Sequence, residues 1–363
     1  MLGRRSNQKT FFDEVVSKRI SKNHFLRIND IINWTPIEKK LESLYDPSNG
    51  RPSYPPLVMF KALLLQQWFN LSDRDLSEAI ADRLSFQSFL GLSLSDPVPD
   101  DTTFCRFRQK LLELGLLEEL FSLLDAQFEN LGILVKKGSF IDATIVQAQR
   151  RPPSKETKEE DGSVDSAGDG ENRKGSGSKA SLTKDGKIYF KSDSDARWTV
   201  KRGKPHYGYK VHINTDESGI VRCVEVTPAN VHDSRKLKSL ISKKETEAIF
   251  ADKAYDSQGI RSWCEQRGIK CFILHKGKRN KPLTEEEIQE NKMLSKKRFR
   301  VEQVFGIAKS HYGMNRLPYV GLMRNKVKTF MVVMAMNLKR AWNIMKVKSS
   351  NLPSSKLTLS TGD

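Results

Sequence analysis

The chain has 363 residues, of which 37% are hydrophobic and 29% are charged, a composition typical of a globular protein with a sizeable core. Its 62 Lys and Arg residues outnumber its 44 Asp and Glu residues, giving a formal net charge of +18 at pH 7. Such an excess attracts polyanions, so nucleic acid is the leading partner, although a ribosome-associated or membrane-surface protein would share this composition.

The cysteine pattern indicates a reducing compartment, and the lengths of the apolar runs predict neither a signal peptide nor a membrane span. The four cysteines are Cys105, Cys223, Cys264 and Cys271. They form no CxxC pair, and we interpret them as core residues; the spacing of Cys264, Cys271 and His275 matches no usual zinc pattern. No apolar stretch typical of a signal peptide occurs near Met1, and the longest apolar run, 330–336, is far shorter than the roughly 20 residues that cross a bilayer. We therefore expect a cytoplasmic protein.

The first region with a regular pattern, from about residue 30 to 135, is helical. Its clearest apolar stripe comprises Leu117, Leu120, Phe121, Leu124, Phe128 and Leu131. The predicted helix starts are Pro55 and Pro56 for one helix, Ser72 with Asp75 for a second, and Asp101 or Thr102 for a third. We predict an all-α N-terminal domain over residues 1–135.

The third of these helices carries Arg106, Arg108 and Lys110 in one short stretch. A helix that contacts DNA phosphates needs such side chains, but a solvated helix face would show them too. The local sequence does not decide between these two interpretations.

Residues 150–195 are rich in Gly, Ser, Lys, Asp and Glu, and contain too few apolar residues to offset the entropy of ordering them. We predict a flexible insertion here and a disordered tail at 349–363. The Gly-rich part follows no strand and lacks a GK[ST] ending, so we predict no nucleotide site.

Strand patterns flank the insertion. Residues 138–148 show the alternation of a strand. One face carries Phe140, Asp142, Thr144 and Val146, and the other carries Ile141, Ala143 and Ile145. Asp142 therefore lies inside a strand. Asp is depleted in strand interiors and costly to bury, so Asp142 requires a cation, hydrogen-bond donors or a functional reason. A purely structural carboxylate at a sheet rim is the alternative.

The sequence after residue 200 predicts the remaining strands and helices of the sheet domain. Strands at 207–214 and 220–227 form a hairpin, and a helix begins near Asp233. A fourth strand ends in Asp252, and a fifth follows a short helix. Acids on the first and fourth strands of this order are typical of ribonuclease H-like nucleotidyltransferases. We predict an α/β catalytic domain over 136–348 with a mixed five-stranded sheet and flanking helices.

The last predicted helix of this domain carries a polar ridge. At 100° per residue, Arg298, Glu302 and Lys309 fall within roughly 40° of one another. Val301, Val304, Phe305 and Ala308 form the adjoining apolar stripe. The ridge could line a site, or it could be an ordinary Arg–Glu pair on a solvated helix.

Several blocks together resemble the DDE transposases of the bacterial insertion sequences, in the IS-five group related to the IS-four superfamily. These blocks are FIDATIV, FADKAYDS, RFRVEQVFGIAK, RPSYPPLVMFKALLLQQW and SDARWTVKRGKPHYGYKVH, in the family's order across about residues 20–345. The resemblance implies that Asp142, Asp252 and Glu302 are the catalytic, metal-binding triad. Arg298 and Lys309 match a family signature in which Ser295 replaces a Tyr, so no role for an aromatic hydroxyl carries over.

Carboxylate oxygens suit two Mg²⁺ ions, for which Mn²⁺ can substitute, and two ions can stabilise both the attacking and the leaving oxygen. The implied enzyme is a polynucleotidyl transferase and endonuclease that cleaves the ends of its element and joins the freed 3′-OH to target DNA. Further expected DNA contacts are Lys201, Arg202, Lys204 and Lys210.

The expected partners are the terminal inverted repeats, target DNA and a second copy in a homodimer, with no membrane and no nucleotide, in association with the nucleoid. Two alternatives remain at this point. The chain could be a regulator that binds transposon ends without cutting them, or a nuclease of the same fold that cuts without joining.

Overall fold

The computed structural model describes residues 23, 25–45, 53–134, 138–150, 180–182, 188–190, 192–241, 246–277 and 282–350. The chain divides into two compact units. One contains the described residues of Met1–Val135, Ser218–Ile220 and Met331–Asp363, and the other contains those of Lys136–Glu217 and Val221–Phe330. No helix within the described residues is long and apolar enough to span a membrane.

The first unit is helical. Its helices are α1 (Ile28–Ile31), α2 (Thr35–Glu42), α3 (Pro56–Phe69), α4 (Asp73–Asp82), α5 (Leu84–Leu90), α6 (Asp101–Glu113) and α7 (Leu117–Asn130). The capping box of Ser72 and Asp75 is confirmed. The prediction for α6 was wrong by one residue, because Asp100 is the cap and accepts a hydrogen bond from the Thr103 N–H.

The second unit is built on a mixed sheet. Its strands are β1 (Ser139–Gln147), β4 (Arg197–Lys201), β5 (Lys204–Thr215), β6 (Val221–Pro228), β7 (Ala248–Ala251) and β8 (Lys270–Ile273). Strand β1 pairs antiparallel with β5 and parallel with β7; β5 pairs antiparallel with β6, and β7 parallel with β8. The ribonuclease H-like prediction is confirmed, with six strands in this sheet instead of five, because residues 197–201 form β4 beside the start of β5.

The predicted insertion is partly regular. Strands β2 (Ala180–Leu182) and β3 (Ile188–Phe190) pair antiparallel. Near its end Asp193 is fully buried, and its carboxylate accepts hydrogen bonds from the Tyr209 hydroxyl at 2.7 Å and the Gly321 N–H at 3.3 Å. The predicted end of the flexible insertion, residue 195, was therefore too late in the chain, because these contacts fix Asp193 to the sheet. Residues 151–179 of the predicted insertion lie outside the described residues.

Helices pack on both faces of the sheet. The face of Ile141 is covered by α8 (Leu237–Ile241) and α9 (Gln258–Glu265) in one apolar cluster. On the other face, the Phe140 and Phe250 rings stack with centroids 4.7 Å apart, and α10 (Glu285–His311) lies across them, with the Lys297 ammonium 5.3 Å from the Phe250 ring. Asp142 shares this second face with Phe140, because side chains alternate along a strand.

A long final helix, α11 (Leu322–Ser350), begins in the second unit and ends in the first. The tail predicted at 349–363 lies almost entirely outside the described residues.

Candidate active site

Strand register brings two acidic residues together. Ile141 of β1 is the Cα partner of Ala251 of β7 in the parallel ladder, so the residues that follow them, Asp142 and Asp252, are neighbours. Asp142 lies within β1 on the face covered by α10. Asp252 directly follows β7 and caps a short 3-10 turn by accepting a hydrogen bond from the Lys253 N–H at 2.7 Å. The register of the parallel ladder thus brings the acids of the first and fourth predicted strands side by side.

The Asp142 carboxylate lies in a poorly hydrated position. Its side chain is 21% exposed, and its Oδ1 accepts a hydrogen bond from the Ala143 N–H at 2.8 Å. Burial raises the pKa of Asp142 to about 6, and the nearby Arg298 guanidinium offsets only part of this effect. The negative charge of Asp252 raises this pKa further, which is the signature of two carboxylates that share one site.

A single guanidinium connects the two acids. Arg298 of α10 has Nη2 3.3 Å from Oδ2 of Asp142 and Nη1 3.6 Å from Oδ1 of Asp252. Its side chain is only 7% exposed, and its buried Nε has no hydrogen-bond partner among the described residues. Arg298 belongs to the buried stripe of α10 together with Leu294 and Val301, rather than to the polar ridge on which we had placed it.

Glu302 occupies a different environment one turn further along α10. It is exposed and has no ion pair or hydrogen bond among the described residues. Throughout the described parts of the chain, no three His, Cys, Asp or Glu side chains are close enough to hold a metal ion together. The structure thus brings Asp142 and Asp252 together around Arg298 and leaves Glu302 on the solvent side of the same helix.

Two lysines add positive charge at the site. Lys309, two turns after Glu302, is half-buried, and burial together with the nearby Lys201 lowers its pKa. The charge of Lys201 also lowers the pKa of Asp142. Arg202 and Lys204 are exposed at the same turn between β4 and β5. Of these cations, Lys201 is the one that acts on Asp142, and within the described residues it forms no ion pair with that carboxylate.

The opposite face of the sheet is a structural polar cluster. Lys210 donates to the Val231 carbonyl at 2.8 Å and pairs with Asp233 at 2.9 Å, which leaves its charge already satisfied. His212 is fully buried against the Thr227 hydroxyl, and burial lowers its pKa to about 4, so it is neutral at pH 7. Lys210 thus lies away from the carboxylates, because even-numbered residues of β5 face α8.

Two other aspartates of this unit, Asp256 and Asp233, are paired with basic side chains. Asp256 accepts a hydrogen bond from Nε of Arg261 at 2.8 Å, in keeping with a supporting position past the strand end. Asp233 pairs with Lys210 on the far face. The sequence reasoning missed Tyr255. Its hydroxyl is buried and has no hydrogen-bond partner in the described part of the chain, and burial raises its pKa well above the usual value. An aromatic residue three positions after Asp252 was the available signal.

The three basic side chains of α6 differ in their exposure to solvent. Arg106 and Lys110 are exposed, and the Lys110 ammonium lies 4.4 Å from the Tyr45 ring centroid. Arg108 is buried instead, with both Nη atoms on the Asp73 carboxylate. Since a bidentate pair occupies its guanidinium, Arg108 does not present its charge to a phosphate in this conformation.

The cysteines are in varied surroundings. Cys264 is buried and Cys271 half-buried, as expected for core residues, but Cys105 is exposed on α6, so its assignment to the core was wrong. The steps of α6 place Cys105 between the buried Phe104 and the exposed Arg106.

The sequence matches two family models over much of its length. Residues 14–110 match a transposase domain described as DUF772, and residues 134–338 match the transposase DDE domain. Among solved structures, similarity is found to the Mos1 transposase paired-end complex with left transposon end, at 10% identity over 82% of both chains and a TM-score of 0.18. The Mos1 strand transfer complex matches at 10% identity over 91% of this chain and 93% of that chain, with a TM-score of 0.19. The assignment of a family rests on the sequence matches, of which the second spans more than half of the chain.

Proposed function

Because the chain belongs to the DDE transposase family, we propose that it cuts the DNA ends of its own insertion sequence and joins the freed 3′-OH to target DNA. The observation that supports this most strongly is the placement of Asp142 and Asp252 on adjacent parallel strands around one buried cationic group, with Glu302 on the next turn of α10. A protein that only binds transposon ends has no use for such a pair of acids at a sheet edge.

We further propose that Asp142, Asp252 and Glu302 hold Mg²⁺, or Mn²⁺ in its place, as two ions. The donor chemistry fits, because all three offer hard carboxylate oxygens, and the guanidinium between Asp142 and Asp252 shows that their position attracts positive charge. When bound, the two ions would supply Lewis-acid stabilisation of the attacking and leaving oxygens of a phosphodiester.

The protein's own side chains would position the DNA. We propose that Lys201, whose charge acts on Asp142, and Lys309, which is close enough to Lys201 to be affected by its charge, contact phosphates beside the two aspartates. The exposed Arg106 and Lys110 of α6 offer a second set of phosphate contacts. Action on two DNA ends favours a homodimer, and DNA as substrate is consistent with association with the nucleoid.

The test is a reaction of the purified protein with a plasmid that carries its gene and natural flanking DNA, in Mg²⁺ or EDTA, followed by sequencing of new junctions. We expect Mg²⁺-dependent junctions with the wild type and none with Asp252→Asn. Asp256→Asn is the matched control, because it removes a nearby carboxylate charge that pairs with Arg261. Binding of the flanks without cleavage would show a regulator, and cleavage without junctions would show a nuclease.

A further inference from the structure

Strand β4 and the start of β5 form a two-stranded extension, residues 197–208, which we call the hairpin arm. Its turn consists of Arg202 and Gly203, which both have positive φ, 52° and 76°. This two-residue turn joins Lys201 directly to its Cα partner Lys204 and matches the twist of the two strands. The register of the hairpin arm is therefore fixed, and so is the division of its side chains between two faces.

One face of the hairpin arm is apolar and open to solvent. The register pairs Trp198 with Tyr207 and Val200 with Pro205, which places these four side chains on the same face. Trp198 is 53% exposed and Val200 is 70% exposed, and the rings of Trp198 and Tyr207 lie 5.3 Å apart. An exposed Trp beside an exposed Val indicates a surface that another molecule covers.

The charge around this face identifies the class of that molecule. Lys201, Arg202 and Lys204 are exposed at the turn, and none of them forms an ion pair within the described residues. Three free cations around an aromatic strip complement a polyanion with flat apolar groups, which is the chemistry of a nucleic-acid strand. An apolar protein partner would leave these charges buried without counter-ions.

The apolar face of the hairpin arm continues the sheet face that carries Asp142. Asp142 pairs with Ile213 of β5, and odd-numbered β5 residues share its face down to Tyr207, so Trp198 shares it as well. Both Tyr207 and Tyr209 direct their hydroxyls to Asp193, which confirms that they project to one side.

The hairpin arm leaves the rest of β5 at Gly208. There β5 passes so close to β1 that an added Cβ would lie 2.1 Å from the Val146 carbonyl oxygen, so only glycine fits at this position.

We propose that the hairpin arm binds an unpaired stretch of DNA beside the bond that is cut, with Trp198 stacked on a base and Lys201, Arg202 and Lys204 on phosphates. The inference rests on the proposed function and adds the form of DNA that this part of the site takes. Bases within a duplex are already stacked on both sides, so only an unpaired base offers Trp198 a free face.

The experiment measures the binding of a fluorescein-labelled single strand of the element end, and of the corresponding duplex, to the full chain in EDTA by anisotropy. For the single strand we expect Trp198→Ala to weaken binding about 10-fold at every salt concentration, because a base–aromatic stack is lost. Trp198→Phe should stay within about threefold of the wild type. Lys204→Gln should make the dependence on log salt shallower by about 0.7, the value for one phosphate contact on a single strand.

Equal affinities of wild type and Trp198→Ala for the single strand would overturn the proposal, as would an equal loss for single strand and duplex. Loss of binding in Trp198→Phe as large as in Trp198→Ala would also overturn it, since a ring that stacks is retained. If the wild type binds the single strand through Trp198 but yields no junctions in the plasmid reaction, the inference stands while the proposed joining activity fails. Absence of all DNA binding by the wild type would refute both.

Discussion

Replacement of Asp142 by Asn should stabilise the protein at pH 8 in EDTA. The pKa of Asp142 rises from 3.8 to about 6, and one pKa unit corresponds to about 1.36 kcal/mol. Ionisation of Asp142 therefore costs about 3 kcal/mol more in the folded protein than in the unfolded chain. Asn keeps the shape of the carboxyl group and removes this cost, so we expect a gain of about 2–3 kcal/mol.

The sign of the pH dependence follows from proton binding. Between about pH 4 and pH 6 the folded protein retains the Asp142 proton that the unfolded chain has released. The contribution of Asp142 to stability is thus most favourable below pH 4 and is lost as the pH rises through 6. The advantage of Asp142→Asn should be absent at pH 4, grow across this window and remain constant above about pH 7.

Thermal unfolding followed by circular dichroism from pH 4 to pH 8 measures this difference. At pH 8 the midpoint of the second unit should rise by about 5–10 °C, since 1 kcal/mol shifts a domain of this size by about 2–4 °C. Asp256→Asn, which removes a carboxylate paired with Arg261, is the control and should show no such pH-dependent gain. A variant that is less stable than the wild type at pH 8, or a difference that does not change with pH, would refute the reasoning.

Three further changes test other parts of the site. Arg298→Gln should raise the affinity for Mn²⁺ measured by calorimetry, because it removes a cation from the Asp142 carboxylate; an unchanged or lower affinity would contradict this. Glu302→Gln should reduce Mg²⁺-dependent cleavage at least 100-fold, whereas Glu286→Gln, at an exposed position of the same helix, should leave it within twofold; equal rates would exclude Glu302 as a ligand. The pKa of His212 is lowered to about 4, so the protein loses stability as the pH falls from about 6.5 to 4. In His212→Gln the free energy of unfolding, measured with urea, should depend less on pH in this range. The same pH dependence in variant and wild type would argue against a buried neutral imidazole.

Much of the second unit could be predicted from the sequence, because strand and helix periods are local properties. The alternation around Asp142 and the buried run before Asp252 define two strands, and the order of the elements then requires these two strand positions to be adjacent. The same reasoning missed β4, because this five-residue segment is short and pairs with β5 through a turn that requires Arg202 to adopt a positive φ.

The side-chain environment at the site could not be predicted in this way. An angular spread of roughly 40° places Arg298 and Glu302 on one ridge, but it does not fix the rotation of the helix against the sheet. That rotation is set by tertiary packing of Leu294, Val301 and Phe305, and it buries Arg298 while leaving Glu302 exposed. Arg108 illustrates the same limit, because only its contact with Asp73 distinguishes it from the exposed Arg106.

The position of Arg298 has a consequence for its role. A guanidinium 3.3 Å from Asp142 and 3.6 Å from Asp252 occupies the oxygens that a divalent cation would need, so the two cations compete for one pair of carboxylates. Within the described residues the Nε of Arg298 has no partner, and its contacts with the two aspartates are longer than good hydrogen bonds, so the guanidinium is held mainly by charge. A divalent cation that neutralises the aspartates would remove that attraction and free Arg298 to pair with a phosphate from the same position on α10. Mn²⁺ affinity and DNA affinity should therefore change in opposite directions in Arg298→Gln, a pattern that simple misfolding of the site would not produce.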